Sequence, residues 1–273
     1  MLYYIDGKFI NHKLAKIPFS DAGFLYGDGL FETMRFNNQN IFQINNHIDR
    51  LFKGMDIVGL KIKKSKHQII NLLNQVIKKN ELQDGIIRLM ITRGNTDLSI
   101  TANTSPYIYI SIKPFYDVPE NPVKVVYLDE TNYPIIRFTP AIKSMNYIGN
   151  MLAKRDCDKQ GGFEPIFYNK EQIITECAIR NIFYIKNNIL YTPSLDLGIL
   201  SGVMRSMIIE IGEFLNMKII EGHLEYKDIH LMEEAFISST GIGLLPCYWD
   251  GWSSSYNKTN LIKKELFNRI KNS

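Results

Sequence analysis

Several residue patterns are absent from this 273-residue sequence, and each absence argues against a class of protein. The cysteines are odd in number and far apart, so the sequence predicts no disulfide framework and favours a reducing cytoplasmic location; they are Cys157, Cys177 and Cys247. The five histidines show no metal-ligand spacing, so no metal site is predicted. Residues 1–20 contain no long apolar core, so neither a signal peptide nor a membrane span is expected.

Nucleic acid is also disfavoured as a class of partner on charge grounds. The net charge of +4 is spread along the sequence, and no block of lysine and arginine alternates with aromatic residues. We therefore expect a small-molecule ligand, with no nucleic acid and no membrane as partner.

The length and the 45% hydrophobic content allow a substantial core, which we assign to two domains of the α/β (α+β) class. Prolines with acidic residues between them mark the best candidate for a linker: Pro114, Pro119 and Pro122. The sequence thus predicts a small N-terminal α/β domain at 1–116, a linker at 117–122 and a larger C-terminal domain at 123–273.

Hydrophobic periodicity places the elements within these domains. A hairpin turning at Asp6-Gly7 is predicted to open the chain. Helices are predicted at 45–60, capped by Asn45 or Asn46, at 65–80, at 145–153 with Lys143 at its beginning, and at 258–272. Strands are predicted at 85–93, 107–113, 123–128, 217–221 and 235–243.

The most informative stretch runs from residue 172 to residue 205. It predicts two short buried strands at 172–175 and 182–185, a hairpin turn at Asn187-Asn188 into 189–192, and a helix that starts at about Gly202. A single acid between strands is often only a solvated charge. Here the order of a carboxylate, an asparagine and a small-residue turn that opens a helix suits a cofactor with a basic ring nitrogen and a phosphate, because the free N–H groups of a helix start attract anions.

Three sequence blocks in this stretch resemble the signature of the class IV aminotransferase family: Glu176-Cys177-Ala178-Ile179-Arg180-Asn181-Ile182-Phe183, Thr192, and Leu200-Ser201-Gly202-Val203-Met204-Arg205. The resemblance implies a pyridoxal 5'-phosphate (PLP) enzyme of fold type IV. It implies a small N-terminal α/β domain, a larger C-terminal α/β pseudobarrel domain, an active site between the domains, and a homodimer that acts on a small-molecule amino substrate.

The same resemblance assigns roles to individual residues. Lys143, in a Lys-x-x-Asn pattern, would be the covalent anchor of the cofactor and the proton shuttle, and Arg50, in a His-x-x-Arg-Leu motif, would bind the phosphate. Glu176 would hold the ring nitrogen protonated. Further cofactor contacts are expected from Tyr147, Asn181, Gly202, Val203, Met204, Ser239 and Thr240. Without the resemblance, Arg50 and Lys143 would be read as ordinary surface charges.

The segment from Asp21 to Arg35 is glycine-rich, but it lacks the spacing of a nucleotide-binding loop. On its own it indicates a tight turn into a strand. Its part from Tyr26 to Glu32 resembles the family segment that lines the substrate pocket, which makes Phe31 a candidate substrate contact. The candidate cations for substrate carboxylates are Arg35, Arg88, Arg93 and Arg180, and the sequence does not choose among them.

Three functions remain open from the sequence. The residues after Thr92-Arg93-Gly94 lack the Arg-x-His trap of D-amino-acid aminotransferases. The Lys-x-x-Asn spacing and the Gly202-Val203-Met204-Arg205 run resemble the aminodeoxychorismate lyases, which make 4-aminobenzoate and pyruvate for folate biosynthesis. The alternatives are a branched-chain or other amino-acid aminotransferase that uses 2-oxoglutarate, which Tyr147 supports, and a non-catalytic binding protein on the same scaffold.

Overall fold

The computed structural model describes residues 1–96 and 105–271, and these residues form two compact units. The first unit contains Met1–Tyr116 and the separate segment Ile142–Asn146. The second contains Asp117–Ala141 and the chain from Tyr147 onward. Lys143 therefore belongs to the N-terminal unit by its contacts, which differs from the expected domain range of 123–273. The segment on which the absence of the Arg-x-His trap depends lies partly outside the described residues.

The first unit contains a six-stranded antiparallel sheet and three helices. Its elements are β1 (Leu2–Ile5), β2 (Lys8–Asn11), α1 (Ala22–Tyr26), β3 (Gly29–Asn37), β4 (Asn40–Ile41), α2 (Ile44–Ile57), α3 (Lys66–Asn80), β5 (Gly85–Thr92) and β6 (Tyr107–Pro114). The strand order is β2-β1-β6-β5-β3-β4. The hairpin at Asp6-Gly7 is confirmed, because Ile5 pairs with Lys8.

Helices α2 and α3 cover one face of this sheet. Alternate residues of β3 point into the resulting core, where Leu30, Met34 and Phe36 pack with Ile48 of α2 and Leu73 of α3. The other alternate residues of β3 and β5 lie on the opposite face of the sheet, and they include Phe31, Thr33 and Arg88. The pleat of β3 thus separates a core face from a second face that carries candidate substrate residues.

The second unit contains a mixed eight-stranded sheet and three helices. Its elements are β7 (Val123–Asp129), α4 (Ile148–Lys159), β8 (Glu164–Tyr168), β9 (Ile174–Cys177), β10 (Asn181–Lys186), β11 (Ile189–Pro193), α5 (Val203–Phe214), β12 (Lys218–Gly222), β13 (Glu234–Ser239), β14 (Gly243–Tyr248) and α6 (Asn257–Lys271). The strand order is β12-β11-β10-β13-β14-β7-β8-β9. The α/β class predicted from the sequence is confirmed.

Two predicted helix starts are wrong. Helix α2 begins at Ile44 after Gln43, which makes no side-chain capping bond, so Asn45 and Asn46 lie inside the first turn. Helix α4 begins at Ile148 after Tyr147. Lys143 therefore precedes the helix in an extended segment, because backbone bonds to β3 hold residues 143–145 before the helix can start. The sequence reading also missed α1, β8 and β14.

Candidate functional site

Lys143 is positioned by β3 of the first unit. The Phe31 N–H donates to the Lys143 carbonyl at 3.0 Å, and the Met145 N–H donates to the Gly29 carbonyl at 2.9 Å. These two bonds hold the lysine segment as a short extended stretch beside the start of β3. The Lys143 Nζ atom lies 4.5 Å from the centroid of the Phe31 ring. Two of the predicted site residues, distant in sequence, are thus adjacent.

Arg88 lies over the same aromatic ring. Its guanidinium carbon is 5.1 Å from the Phe31 centroid, and its Nε–H donates to the Thr33 hydroxyl at 3.2 Å. Among the described residues, no carboxylate forms a salt bridge with Arg88, and the residue is exposed. An exposed guanidinium without an acidic partner is suited to bind a substrate carboxylate by paired hydrogen bonds.

Two of the other candidate arginines are engaged within the first unit. Arg93 donates from Nε and Nη2 to both oxygens of Asp28 and from Nη2 to the Val58 carbonyl, so it ties the glycine-rich turn to α2. Arg35 donates to Asn37 at 2.8 Å and lies 4.1 Å from the Phe115 centroid. Both residues have structural contacts that account for their positions.

Arg180 is paired with Glu164, whose side chain is fully buried on β8. It also lies 4.5 Å from the Phe163 centroid. Burial raises the pKa of Glu164, although the Arg180 charge and the Ile179 N–H oppose that rise. Removing either partner would leave a buried charge uncompensated. These contacts weaken Arg180 as a candidate for binding substrate.

Arg50 is held by a buried acid on the core face of β3. Glu32 is fully buried and accepts from Arg50 Nε at 2.8 Å and Nη2 at 2.7 Å. Its Oε2 atom also lies 2.7 Å from His47 Nδ1, one turn earlier on α2. Burial alone would raise the pKa of Glu32, but Arg50 and His47 lower it to about 2. Burial lowers the pKa of His47, in spite of its bond to Glu32.

Glu176 lies on β9 of the second unit, with a cation on one side and a backbone donor on the other. Its Oε1 atom accepts from Nη1 of Arg137, and its Oε2 atom accepts from the Leu200 N–H at 3.2 Å. The side chain is 22% exposed. The predicted ring-nitrogen partner is therefore fixed near the turn that leads into α5.

The turn before α5 is a candidate anion site, which we call the cradle. Gly202 precedes the first residue of α5 and makes no side-chain capping bond. A Cβ atom on Gly202 would lie 2.2 Å from Asn181 Oδ1, and the Asn181 amide is fixed by donating to the Ser238 carbonyl at 2.9 Å. Only glycine therefore lets the chain pass Asn181 at this point. The cradle leaves backbone N–H groups at the positive end of the helix.

The remaining predicted contacts lie at the start of α5, at the end of β13 and before α4. Val203 and Met204 are buried in the first turn of α5, so their backbone N–H groups rather than their side chains would face an anion. Ser239 ends β13 and Thr240 follows it. Tyr147 precedes α4.

Four residues of these networks were missed as site residues from the sequence: Glu32, His47, Glu130 and Arg137. Glu32 could have been predicted from the sequence, because it lies on the same face of the strand as Leu30 and Met34. An acid on that face points into the core and requires a buried partner. Arg137 gives no such signal. Its partners Glu130 and Glu176 lie 7 and 39 residues away, and the three side chains meet only in the folded protein.

Each unit, taken by itself, carries groups that fit part of a cofactor with a phosphate and a basic ring nitrogen. In the second unit these are the cradle that a Cβ on Gly202 would fill and the carboxylate of Glu176, which accepts from the Leu200 N–H close to that helix start. In the first unit it is the Arg50 guanidinium fixed by buried Glu32. Among the described residues, no group of three or more histidine, cysteine, aspartate or glutamate side chains could hold a metal ion, and no helix is long and apolar enough to cross a membrane.

Comparison with known proteins first defines the fold. A branched-chain aminotransferase from the archaeon Thermoproteus uzoniensis superposes with a TM-score of 0.92 at 21% identity, covering 99% of this chain and 95% of that one. The branched-chain aminotransferase of Escherichia coli superposes with a TM-score of 0.88 at 23% identity, covering 98% and 93%. Another branched-chain aminotransferase of this fold was solved with pyridoxamine 5'-phosphate. The fold is that of the fold type IV enzymes.

The sequence comparisons then define the family. The model for amino-transferase class IV matches residues 29–248, so the chain belongs to the class IV aminotransferase family of PLP-dependent enzymes. A putative branched-chain-amino-acid aminotransferase of Methanocaldococcus jannaschii is 30% identical over 99% of this chain and 96% of its own. An aminodeoxychorismate lyase of Bacillus subtilis is 32% identical over 90% and 85%, and a D-alanine aminotransferase of Listeria monocytogenes is 30% identical over 97% and 93%.

Proposed function

We propose that the protein is an aminodeoxychorismate lyase, which converts 4-amino-4-deoxychorismate into 4-aminobenzoate and pyruvate for folate biosynthesis. The observation that carries this proposal is the pair of basic side chains over Phe31: Lys143 with its amine, and Arg88 with a guanidinium that has no acidic partner among the described residues. A lyase substrate presents an amino-bearing ring carbon and carboxylates on the same small molecule. Lys143 would act at the amino-bearing carbon, and Arg88 would bind a carboxylate. The similarity to the Bacillus subtilis lyase also supports the proposal.

In this proposal each cofactor contact is the one that the family resemblance implies. Arg50 and the backbone N–H groups of Val203 and Met204 bind the phosphate. Glu176 pairs with the ring nitrogen, and Lys143 is the covalent anchor. When bound, PLP withdraws electrons from the carbon that carries the substrate amino group.

The protein's own part in the reaction is proton transfer and orientation. Lys143 Nζ removes the proton from the amino-bearing ring carbon, the C–O bond on the adjacent ring carbon breaks, and the ring becomes aromatic as the enolate of pyruvate leaves. Lys143 then returns the proton to the methylene carbon of that enolate, which gives pyruvate, so the proton count balances. Arg88 holds a substrate carboxylate and thereby fixes the ring relative to Lys143.

The proposal is tested by product analysis and by locating the cofactor. The purified protein is incubated with 4-amino-4-deoxychorismate, and 4-aminobenzoate and pyruvate are quantified; equal amounts of the two are expected. Borohydride reduction of the holoenzyme, followed by peptide mapping, should place the pyridoxyl group on Lys143. An adduct on another lysine, or product formation at the rate of the uncatalysed reaction, rejects the proposal.

A second function is an aminotransferase that acts on branched-chain or other L-amino acids with 2-oxoglutarate. The similarity to the Methanocaldococcus jannaschii protein over 99% of the chain favours it, as does Tyr147. Incubation with leucine and 2-oxoglutarate separates the two functions. Formation of glutamate, with no pyruvate released from aminodeoxychorismate, would support the aminotransferase in place of the lyase.

We also propose that the enzyme is a cytoplasmic homodimer. The first unit carries exposed apolar side chains between residues 14 and 26, among them Phe19 at 80% and Phe24 at 62% exposure. Exposed apolar clusters of this kind favour burial in an interface. Light scattering after size-exclusion chromatography should give twice the 31.6 kDa mass of the chain, and a monomer at micromolar concentration would contradict the dimer.

A further inference from the structure

Arg137 lies between two carboxylates of the second unit. Its Nη2 donates to Glu130 at 2.6 Å and its Nε donates to the same carboxylate at 3.1 Å, while its Nη1 donates to Glu176. Thr175 completes the group, because its hydroxyl accepts from Arg137 at 3.0 Å and lies 3.0 Å from Glu130. One guanidinium thus serves both the acid at the predicted ring-nitrogen position and a second acid behind it.

The charges of this group do not cancel. With Glu130 and Glu176 ionised and Arg137 protonated, the three side chains carry a net charge of −1. All three are largely buried, with side-chain exposures of 13%, 22% and 19% respectively. Charges that are partly removed from water interact more strongly than charges on the surface. Burial alone would lower the pKa of Arg137, but Glu176 and Glu130 raise it, so the guanidinium stays charged.

We infer that Arg137 and Glu130 are positioning residues that set the negative charge which Glu176 presents to the cofactor. This inference rests on the proposed function, in which Glu176 pairs with the ring nitrogen. Arg137 weakens the field of Glu176 and fixes one of its oxygens, whereas Glu130 partly offsets the charge of Arg137. The protein thereby limits how strongly its acid favours the protonated form of the cofactor.

Three titratable groups near this cluster have pKa values shifted away from neutral pH. Burial raises the pKa of Cys177, the neighbour of Glu176, well above its usual value. Burial and a bond to Asp156 raise the pKa of Tyr133, and bonds to Lys159 and Tyr133 lower the pKa of Asp156. Substitution of Glu130 or Arg137 therefore changes the charge near Glu176 while these three groups keep their protonation states near neutral pH.

The test compares four holoenzymes whose cluster charges differ by design: wild type at −1, Arg137→Met at −2, Glu130→Gln at 0, and the double variant Glu130→Gln/Arg137→Met at −1. The readout is the pH midpoint of the cofactor's visible absorbance. More negative charge nearby favours a protonated cofactor. We expect the midpoint to rise by about one unit in Arg137→Met and to fall by about one unit in Glu130→Gln. The double variant should return to the wild-type value.

Thr175→Val supplies a matched control without a change of charge, since it removes a hydroxyl from the same cluster and nearly preserves side-chain volume. Its midpoint should equal that of the wild type. A purely structural role would disturb the double variant at least as much as either single variant. Midpoints that fail to follow the charge order, or spectra that respond to pH in none of the four proteins, would overturn the inference.

The design separates this inference from the proposed function. A wild-type protein that forms no visible band with PLP, or no reduced adduct at Lys143, rejects the proposed function. A wild type that forms both, with variant midpoints that ignore the cluster charge, rejects only the inference. If Arg137→Met does not fold, Glu130→Gln and the double variant still give different expectations, a lowered midpoint and an unchanged one.

Discussion

The substitution Glu32→Gln should destabilise the protein at neutral pH and remove part of its acid sensitivity. Glu32 is buried between Arg50 and His47, and its pKa falls from the usual 4.5 to about 2 in the folded protein. A carboxyl with a lowered folded-state pKa contributes stability above its unfolded pKa, and this stability is lost as the pH falls through the folded pKa. For Glu32 the window of loss runs from about pH 4.5 to about pH 2.

The size of the effect follows from the shift. A difference of about 2.5 units corresponds to about 3 kcal/mol, since one unit is worth about 1.4 kcal/mol. Glutamine has the shape of the protonated acid, so Glu32→Gln should lose about 3 kcal/mol at pH 7. At pH 3 the solution is only about one unit above the folded-state pKa of Glu32. The difference in unfolding free energy between the wild type and Glu32→Gln should therefore shrink to about 1.5 kcal/mol.

Urea unfolding of the apoprotein measures both differences. The wild type and Glu32→Gln are unfolded at pH 7 and at pH 3, and the free energies of unfolding are compared at each pH. The comparison isolates Glu32, because every other carboxyl is shared by the two proteins. A stability difference that is the same at both pH values would refute the ionised, ion-paired Glu32 on which the reasoning depends. A variant as stable as the wild type at pH 7 would do the same.

Two further substitutions test the cradle and the substrate cation. Gly202→Ala should weaken PLP binding about tenfold or more, because its Cβ would meet Asn181 Oδ1 at 2.2 Å. Gly222→Ala is the control: the nearest contact of its Cβ is at 3.4 Å, so PLP binding should be unchanged. Equilibrium titration of the apoproteins with PLP measures both. Arg88→Met should lower kcat/KM for aminodeoxychorismate by about 100-fold without changing PLP affinity, since it removes a charge-assisted bond to a substrate carboxylate. Unchanged steady-state kinetics would eliminate Arg88 as the substrate cation.

Local sequence patterns predicted much of the secondary structure. Asn187 and Asn188 take positive φ values of 50° and 60° between the paired residues Lys186 and Ile189, as a two-residue hairpin turn requires. Ser65 caps α3 together with Gln68: the Ser65 hydroxyl accepts from the Gln68 N–H, and the Gln68 side chain accepts from the Ser65 N–H. Such features depend on residues a few positions apart. For that reason the sequence contains the information needed to predict them.

The position of Lys143 shows why the next level was harder to predict. The apolar spacing from 145 to 153 suggested a helix that Lys143 would begin. In the fold, residues 143–145 instead bond to the backbone of Gly29 and Phe31, more than a hundred positions earlier in the chain. Helical propensity is a weak preference that tertiary bonds override. The local pattern of residues 143–145 does not indicate that the start of β3 will offer them backbone hydrogen bonds.

The candidate arginines show the same limit of prediction for the site residues. The sequence supplies Arg35, Arg88, Arg93 and Arg180 as equivalent cations, because it shows their charge and not their partners. Folding places Asp28 against Arg93 and buried Glu164 against Arg180, and it leaves Arg88 beside Phe31 without an acid in the described chain. Cations that are already neutralised incur a large desolvation and pairing cost to change partners. Which arginine is left for a substrate carboxylate therefore depends on where the fold places the acids.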